Sequence, residues 1–180
     1  HDRDEDDYIY SVKELIELKG RKFEAKRHHI RTFLKNTPDY AYEPLNAATA
    51  LECIPVAREW LARQRSGDEI MQAETFAVEQ ALTHFDDLKL SGGLIRVGGK
   101  IEAFTVGEAL SEDTIVIHIE KANPEFVGLY QMINREFLSH AWSDMTFVNR
   151  EEDMGIPGLR AAKQSYRPIR MVEKYRVSES

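Results

Sequence analysis

The residues best suited to chemistry are a few carboxylates, a histidine and a tyrosine, at positions that ordinarily serve packing. Glu74 falls near the middle of the apolar stripe of a helical stretch, one turn after Ile70 and one turn before Ala77-Val78. Desolvation there would raise its pKa and suit it as a general base for an attacking amine; the structural alternative is a buried acid paired with a basic side chain. In residues 114 to 122 strict alternation puts Ile115, Ile117 and Ile119 on one face of a strand, with Val116, His118 and Glu120 on the other. His118 and Glu120 could each act as base or bind an acceptor, although a strand histidine also serves as a satisfied core residue. Asn149, Arg150, Glu151, Glu152 and Asp153 stand where a strand gives way to a loop, the usual place for ligand contacts in α/β sheets. Three acids in a row suit a cation such as an amino group, or else form a solvated charged loop. No metal site is expected, because consecutive carboxylates point different ways and no histidine is close.

Further along, Leu159, Ala162, Lys163 and Tyr166 share one face of a short helix. Tyr130 and Asn134 lie one turn apart on another and can line the same cleft. Asn123, just before Pro124, is a candidate helix cap.

These positions need a scaffold, and the periodicities supply one. Residues 11 to 35 carry apolar residues at helical spacing, with a possible bend at Gly20 and a stop at Asn36-Thr37-Pro38-Asp39. Residues 40 to 45 read as the first strand. Thr49 and Glu52 form a capping-box pair ahead of a helix to about residue 64, which Pro55 either kinks or begins. Ser66-Gly67-Asp68 then precedes a helix over 69 to 86. From Gly92 the period becomes two, giving a hairpin of 94 to 97 and 101 to 110 across Gly98-Gly99, followed by the 114 to 122 strand. A helix over 126 to 142, a strand at 145 to 149, a helix over 157 to 166 and a strand at 169 to 177 complete the order. This predicts an acidic tail and connecting helix over residues 1 to 35 and a single α/β lobe over 36 to 180.

Composition narrows the classes. The 180 residues are 42% hydrophobic and 31% charged, ordinary values for one globular core. A net charge of −7 argues against gripping nucleic acid over the whole surface. Positive charge concentrates between Lys19 and Lys35, where Lys22, Lys26, Arg27 and Arg31 are candidates for contact with tRNA phosphates, an anionic lipid surface or a second lobe. Cys53 is the only cysteine, which excludes an internal disulfide and fits a reducing compartment, so the expected location is cytoplasmic. No apolar run approaches the roughly 18 residues of a membrane-spanning helix, and the acidic start is unlike a basic leader. A start at histidine rather than methionine suggests a fragment of something longer.

Three stretches carry a family resemblance: GGLIRVGGKIEAFTVGEAL at 92 to 110, TIVIHIEKANPEFVGLYQMINREF at 114 to 137, and VNREEDMGIPGLRAAKQSYRPIRMVEKY at 148 to 175. Together with DYIYSVKELIELKGRKFEAKRHHIRTFLK at 7 to 35, the chain resembles uncharacterised bacterial proteins grouped with the C-terminal catalytic domain of phosphatidylglycerol lysyltransferases. The resemblance implies a GNAT-like fold: a mixed, mostly antiparallel central sheet flanked by helices, preceded here by the basic connecting helix. It also implies that this is the second of two lobes, packing against a first. The implied activity is transfer of an acyl or aminoacyl group, from aminoacyl-tRNA or a coenzyme A thioester, to an amine or hydroxyl on a small-molecule or lipid acceptor. By the same resemblance Tyr166 would protonate the leaving group, and the backbone around Gly128 would hold the donor or an oxyanion. The stretch Glu125-Phe126-Val127-Gly128-Leu129-Tyr130 departs from the glycine-rich loop of acetyl-CoA enzymes, retaining only Gly128 and adding a negative charge at Glu125. An acetyl-CoA-dependent N-acetyltransferase and a non-catalytic binding lobe are the alternatives.

Overall fold

The computed structural model describes residues 1–63, 69–175 and 177. Its elements are β1 (Asp7–Ser11), α1 (Val12–Glu17), α2 (Glu24–Asn36), β2 (Ala41–Pro44), α3 (Ala47–Arg63), α4 (Glu69–Thr83), β3 (Ser91–Val97), β4 (Lys100–Ala109), β5 (Thr114–Ala122), α5 (Leu129–Ala141), β6 (Phe147–Asn149), α6 (Pro157–Gln164) and β7 (Arg170–Val172). The seven strands form one sheet in the order β2-β3-β4-β5-β6-β1-β7. Every neighbouring pair is antiparallel except β5 and β6.

The first correction is at the amino end. Residues 7 to 11, expected in a tail and connecting helix, form β1 in the sheet between β6 and β7. Ser11 then caps α1, its hydroxyl accepting from the Glu14 amide. The single long helix expected over 11 to 35 is broken, because Leu18 turns left-handed (φ 49°) and Gly20 follows at φ 89° before α2 starts. Residues 1 to 35 are therefore part of the lobe, and Tyr8, Leu15, Phe23 and Phe33 share a core with Phe137. A second adjustment concerns α3. Its start is fixed by reciprocal bonds between Asn46 and Thr49, while Glu52 pairs with Arg96 on β3, so the Thr49/Glu52 box does not form. Pro55 lies inside α3, and the break expected at Ser66-Gly67-Asp68 lies outside the described residues.

The sheet has a core on each face. Ile95, Ala103, Ile115 and Ile117 pack with Leu129, Ile133 and Phe137 of α5, whereas Leu94, Phe104, Val106 and Ile119 pack with Val78 and Leu82 of α4 and Ala57 of α3. Ile117 and Ile119 thus belong to opposite faces, which strict alternation forbids. A β-bulge explains it: Val106 pairs with Ile119 and Gly107 with Ile117, leaving His118 as the extra residue. Gly107 permits the close approach, since a Cβ there would sit 2.3 Å from the Val116 carbonyl oxygen. The expected face shared by His118 and Glu120 is corrected accordingly. Beyond the bulge Glu120 turns toward α5 and Lys121 toward α4.

The parallel pair opens a gap in the sheet. β5 pairs with β6 only from Thr114 to Val116, then runs on to Ala122 while the chain leaves β6 at Asn149.

Candidate active site

A cavity of about 850 Å³ occupies that gap. Its apolar walls include Val78 and Ala81 of α4, Val106 of β4, Ile119 of β5 and Leu159 of α6. Glu74, His118, Glu120, Tyr130, Arg150 and Tyr166 also reach it, so the split in the sheet gathers candidates separated by more than ninety positions in sequence. Such a concave, largely apolar space with convergent polar groups is the usual form of a small-molecule site.

Each candidate arrives with partners. Glu74 pairs with Lys121, and its side chain keeps 40% of its exposure, so it is not the buried acid its place in the apolar stripe suggests. It stands instead as a reachable carboxylate beside an ammonium. His118 sits between Glu151 at 2.8 Å and Glu108 at 2.9 Å. Its bond to Glu151, aided by Glu108 and opposed by partial burial, raises its pKa to about 9. It is a cation at neutral pH and a poor proton acceptor. Glu120 accepts from Arg150 at 2.6 Å and from Asn134 at 2.8 Å, which accounts for Asn134 as a support behind the cleft wall.

Tyr166 is almost fully buried, and that burial drives the phenol pKa upward against the lowering influence of Arg150, so it keeps its proton. The Arg150 guanidinium carbon lies 4.8 Å from the Tyr166 ring centre and 5.7 Å from that of Tyr10. Lys163 donates to the Arg150 carbonyl and, at 3.0 Å, to that of Glu151, and Tyr10 donates to the Lys163 carbonyl at 2.8 Å. These bonds fix the loop after β6 against α6.

The acids of that loop diverge rather than forming one pocket for a cation. Glu151 faces His118, Glu152 faces Lys174, and Asp153 turns into the protein toward Arg160 and Tyr8. Asn149 is a strut, donating to Asp7 and accepting from the Glu151 amide. Neither Asn149 nor Asp153 reaches the cavity. Asn123 holds the turn before α5 by accepting from the Glu125 amide, and binds Glu102.

Gly128, at φ 93°, is the N-cap of α5, but a Cβ there would lie 2.1 Å from the His29 carbonyl oxygen of α2. It serves helix packing and does not line the cavity. In the same turn the amides of Glu125, Phe126 and Leu129 are already bonded within the chain. Those three amides are therefore not free to hold a pyrophosphate.

Of the four basic residues from α2 and its approach, Lys22 pairs with Glu14, Arg31 with Glu24, and Arg27 with Glu24 and the Leu18 and Gly20 carbonyls. Lys26 turns inward instead and lines the cavity. Sequence reasoning grouped it with its exposed neighbours and also missed Glu108, Lys121 and Gln131 as cavity residues; only Lys26, three residues after Phe23 and four before Ile30, both core residues, carried a helical-face signal. Among the described residues no group of His, Cys, Asp or Glu is arranged to hold a metal ion, and no helix is long and apolar enough to cross a membrane.

The same architecture recurs in known proteins. A conserved protein of unknown function from Bacteroides thetaiotaomicron is 42% identical, with a TM-score of 0.89 over 95% of this chain and 58% of that one. The structure of L-PGS from Bacillus licheniformis superposes with a TM-score of 0.62 at 15% identity, over 92% of this chain and 57% of that one. A tandem GNAT protein from the clavulanic acid biosynthesis pathway gives 0.52 at 10% identity, over 92% and 50%, which places the fold among GNAT-like folds. An uncharacterized protein of Mycoplasmoides gallisepticum is 24% identical over 172 residues, 94% of this chain and 55% of its own length. The chain therefore spans little more than half the length of these relatives. The model of the family described as phosphatidylglycerol lysyltransferase, C-terminal, matches residues 1–178, and the chain belongs to that family.

Proposed function

We propose that the chain is the transferase lobe of a two-lobe cytoplasmic protein that moves an activated acyl or aminoacyl group to an amine or hydroxyl acceptor. The observation that carries this reading is the cavity in the β5/β6 gap, where a carboxylate from α4 and a protonated tyrosine following α6 face one space. Family membership supports aminoacyl-tRNA as donor and a lipid as acceptor, and the occupied amides of Glu125, Phe126 and Leu129 in the turn before α5 weigh against acetyl-CoA.

The step needs no covalent enzyme intermediate. The acceptor nitrogen or oxygen attacks the donor's ester carbonyl while Glu74 takes its proton. A new amide or ester bond forms, the ester bond to the leaving ribose oxygen breaks, and Tyr166 gives that oxygen a proton. Solvent then removes the proton from Glu74 and returns one to Tyr166. Cys53 has no part in this, being fully buried with its thiol pushed up to about 12 by that burial.

The test is single-turnover transfer by the full-length protein, with labelled aminoacyl-tRNA and phosphatidylglycerol vesicles, and with acetyl-CoA and an amine for comparison. Glu74→Gln should slow transfer by about 10²- to 10⁴-fold, the usual range for a lost general base. Tyr166→Phe should slow it while leaving acceptor binding intact. Unchanged rates in both variants would move the chemistry elsewhere and leave this lobe a binding module.

A further inference from the structure

Two cations, Lys26 and Arg150, lie against the Tyr166 ring, and a third, Lys163, lines the same cavity. Lys26, from α2, places its ammonium 3.9 Å from the Tyr166 ring centre and donates to the Ser165 hydroxyl at 2.6 Å. Lys163, from α6, donates to backbone carbonyls, and its ammonium lies 5.7 Å from the Tyr8 ring centre. Arg150, at the end of β6, has one carboxylate partner, Glu120, and its Nη1 atom is buried without an acceptor among the described residues. Both lysines are only 9% exposed, and neither lies within ion-pair distance of a carboxylate among the described residues. The nearby acids are engaged elsewhere: Glu151 with His118, Glu152 with Lys174 and Glu74 with Lys121. On the floor of the cavity Lys26, Arg150 and Lys163 thus have one carboxylate in ion-pair contact among the described residues, Glu120, while Glu151 and Glu152 act on Lys163 from farther off.

Buried lysines are rare without a counter-charge, because stripping water from an ammonium costs several kcal/mol unless something replaces it. Hydroxyl and carbonyl oxygens replace it in part. An anion entering the cavity would complete the replacement, and three cations from three elements offer separate donors to an anion with several oxygens. We infer that Lys26, Arg150 and Lys163 form a subsite for a phosphoryl group of the donor or acceptor, on the floor of the cavity beside Tyr166. A phosphoryl group fits better than a carboxylate because it can carry a second negative charge and a third terminal oxygen. The inference rests on the reading of this cavity as the substrate site, and names the chemistry of one part of what binds there.

The proton balance of the lysines supports it. Burial, followed by the repulsion of Arg150, lowers the pKa of Lys26 to about 8. The same two causes lower Lys163 to about 8, against the opposing pull of Glu120, Glu151 and Glu152. A bound anion favours both protonated forms, so it must raise both values, and its affinity must fall as pH climbs above 8.

The experiment follows the lysine side-chain carbons by NMR through a pH titration of the full chain, alone and with inorganic phosphate, dimethyl phosphate or acetate at matched ionic strength. Phosphate or dimethyl phosphate should move the Lys26 and Lys163 midpoints upward by about one unit or more. A response to dimethyl phosphate assigns the subsite to a diester, as in a lipid headgroup or nucleic-acid backbone, and a response to phosphate alone assigns it to a terminal phosphate. Lys26→Met and Lys163→Met should each weaken that binding about tenfold or more, corresponding to the loss of about 1.4 kcal/mol, and Lys26→Arg should retain it. Midpoints that ignore all three anions, or respond equally to acetate, would overturn the inference, and the wild-type titration decides it even if a variant fails to fold. Turnover on the same preparation separates the two readings: anion binding without transfer leaves the subsite standing and removes the transferase, while transfer without anion binding does the reverse.

Discussion

Two polar clusters lie on either side of the loop after β6, and they are built from the same residue types to opposite ends. In the first, Asp153 is fully buried and accepts from Arg160 on both oxygens, from the Tyr8 hydroxyl at 2.5 Å and from the Gly155 amide at 3.0 Å. Every lone-pair direction of that carboxylate is filled. Arg160 also binds Asp4, and the whole ties the amino end to α6. The second cluster begins three residues earlier at Arg150, sets Arg150 and Lys26 against the Tyr166 ring with Lys163 on the same cavity wall, and has Glu120 as its one carboxylate in ion-pair contact among the described residues. The carboxylate at the centre of the first is satisfied without a ligand. The second cluster is not, and it faces a cavity. A buried charge is thus informative about function through what it lacks.

The contrast breaks most visibly at Asp153. Its Asp153→Ala variant leaves the buried Tyr8 hydroxyl and the Gly155 amide without their acceptor and Arg160 with Asp4 alone, and should cost about 3 kcal/mol or more in urea unfolding, since several hydrogen bonds to one buried charged group are lost together. Glu120→Ala comes next, since it leaves Arg150 buried with no carboxylate. It should cost about 2 to 4 kcal/mol, offset in part by added phosphate if that anion takes the vacated charge.

The pH dependence of stability sharpens the comparison. The Asp153 carboxyl is held well below its ordinary 3.8, first by its bonds from Arg160, so its contribution is complete above that value and fades as acid is added. His118, raised from 6.5 to about 9 chiefly by Glu151, stabilises fully below pH 6.5 and loses that contribution as pH climbs through 9. Lys26 and Lys163 behave oppositely. Lowered from 10.5 to about 8, they oppose folding below pH 8, and the opposition fades as pH rises toward 10.5. Urea midpoints should therefore decline from pH 6.5 toward 9 in a way that His118→Gln removes, and Lys26→Met should flatten the part of the curve between 8 and 10.5.

Much of the scaffold was legible in the sequence because it depends on local signals. The hairpin across Gly98-Gly99, the β5 strand and the helices α4, α5 and α6 fall close to where periodicity and turn residues place them. The β1 strand was not read, although Tyr8-Ile9-Tyr10 has strand composition, because its partners β6 and β7 lie about 140 and 160 residues away and a helical pattern begins at once. The bulge at His118 was equally hidden, since it is fixed by register against β4 rather than by the composition of β5. Glu74, His118, Glu120, Arg150, Lys163 and Tyr166 all line the cavity. Their partners were the illegible part: Lys26 meets Ser165 across 139 residues, and nothing local to either position announces it.

The central claim is that one cluster is built for the fold and the other for a ligand, and the most direct measurement of it is the unfolding free energy of Lys26→Met beside that of Asp153→Ala. Lys26→Met removes a buried charge without a carboxylate partner and keeps a flexible side chain against Tyr166. The account predicts a change within about 1 kcal/mol in either direction, against the several kcal/mol expected for Asp153→Ala. A Lys26→Met variant as damaged as Asp153→Ala would show that the cations around Tyr166 also serve the fold, and would contradict the distinction.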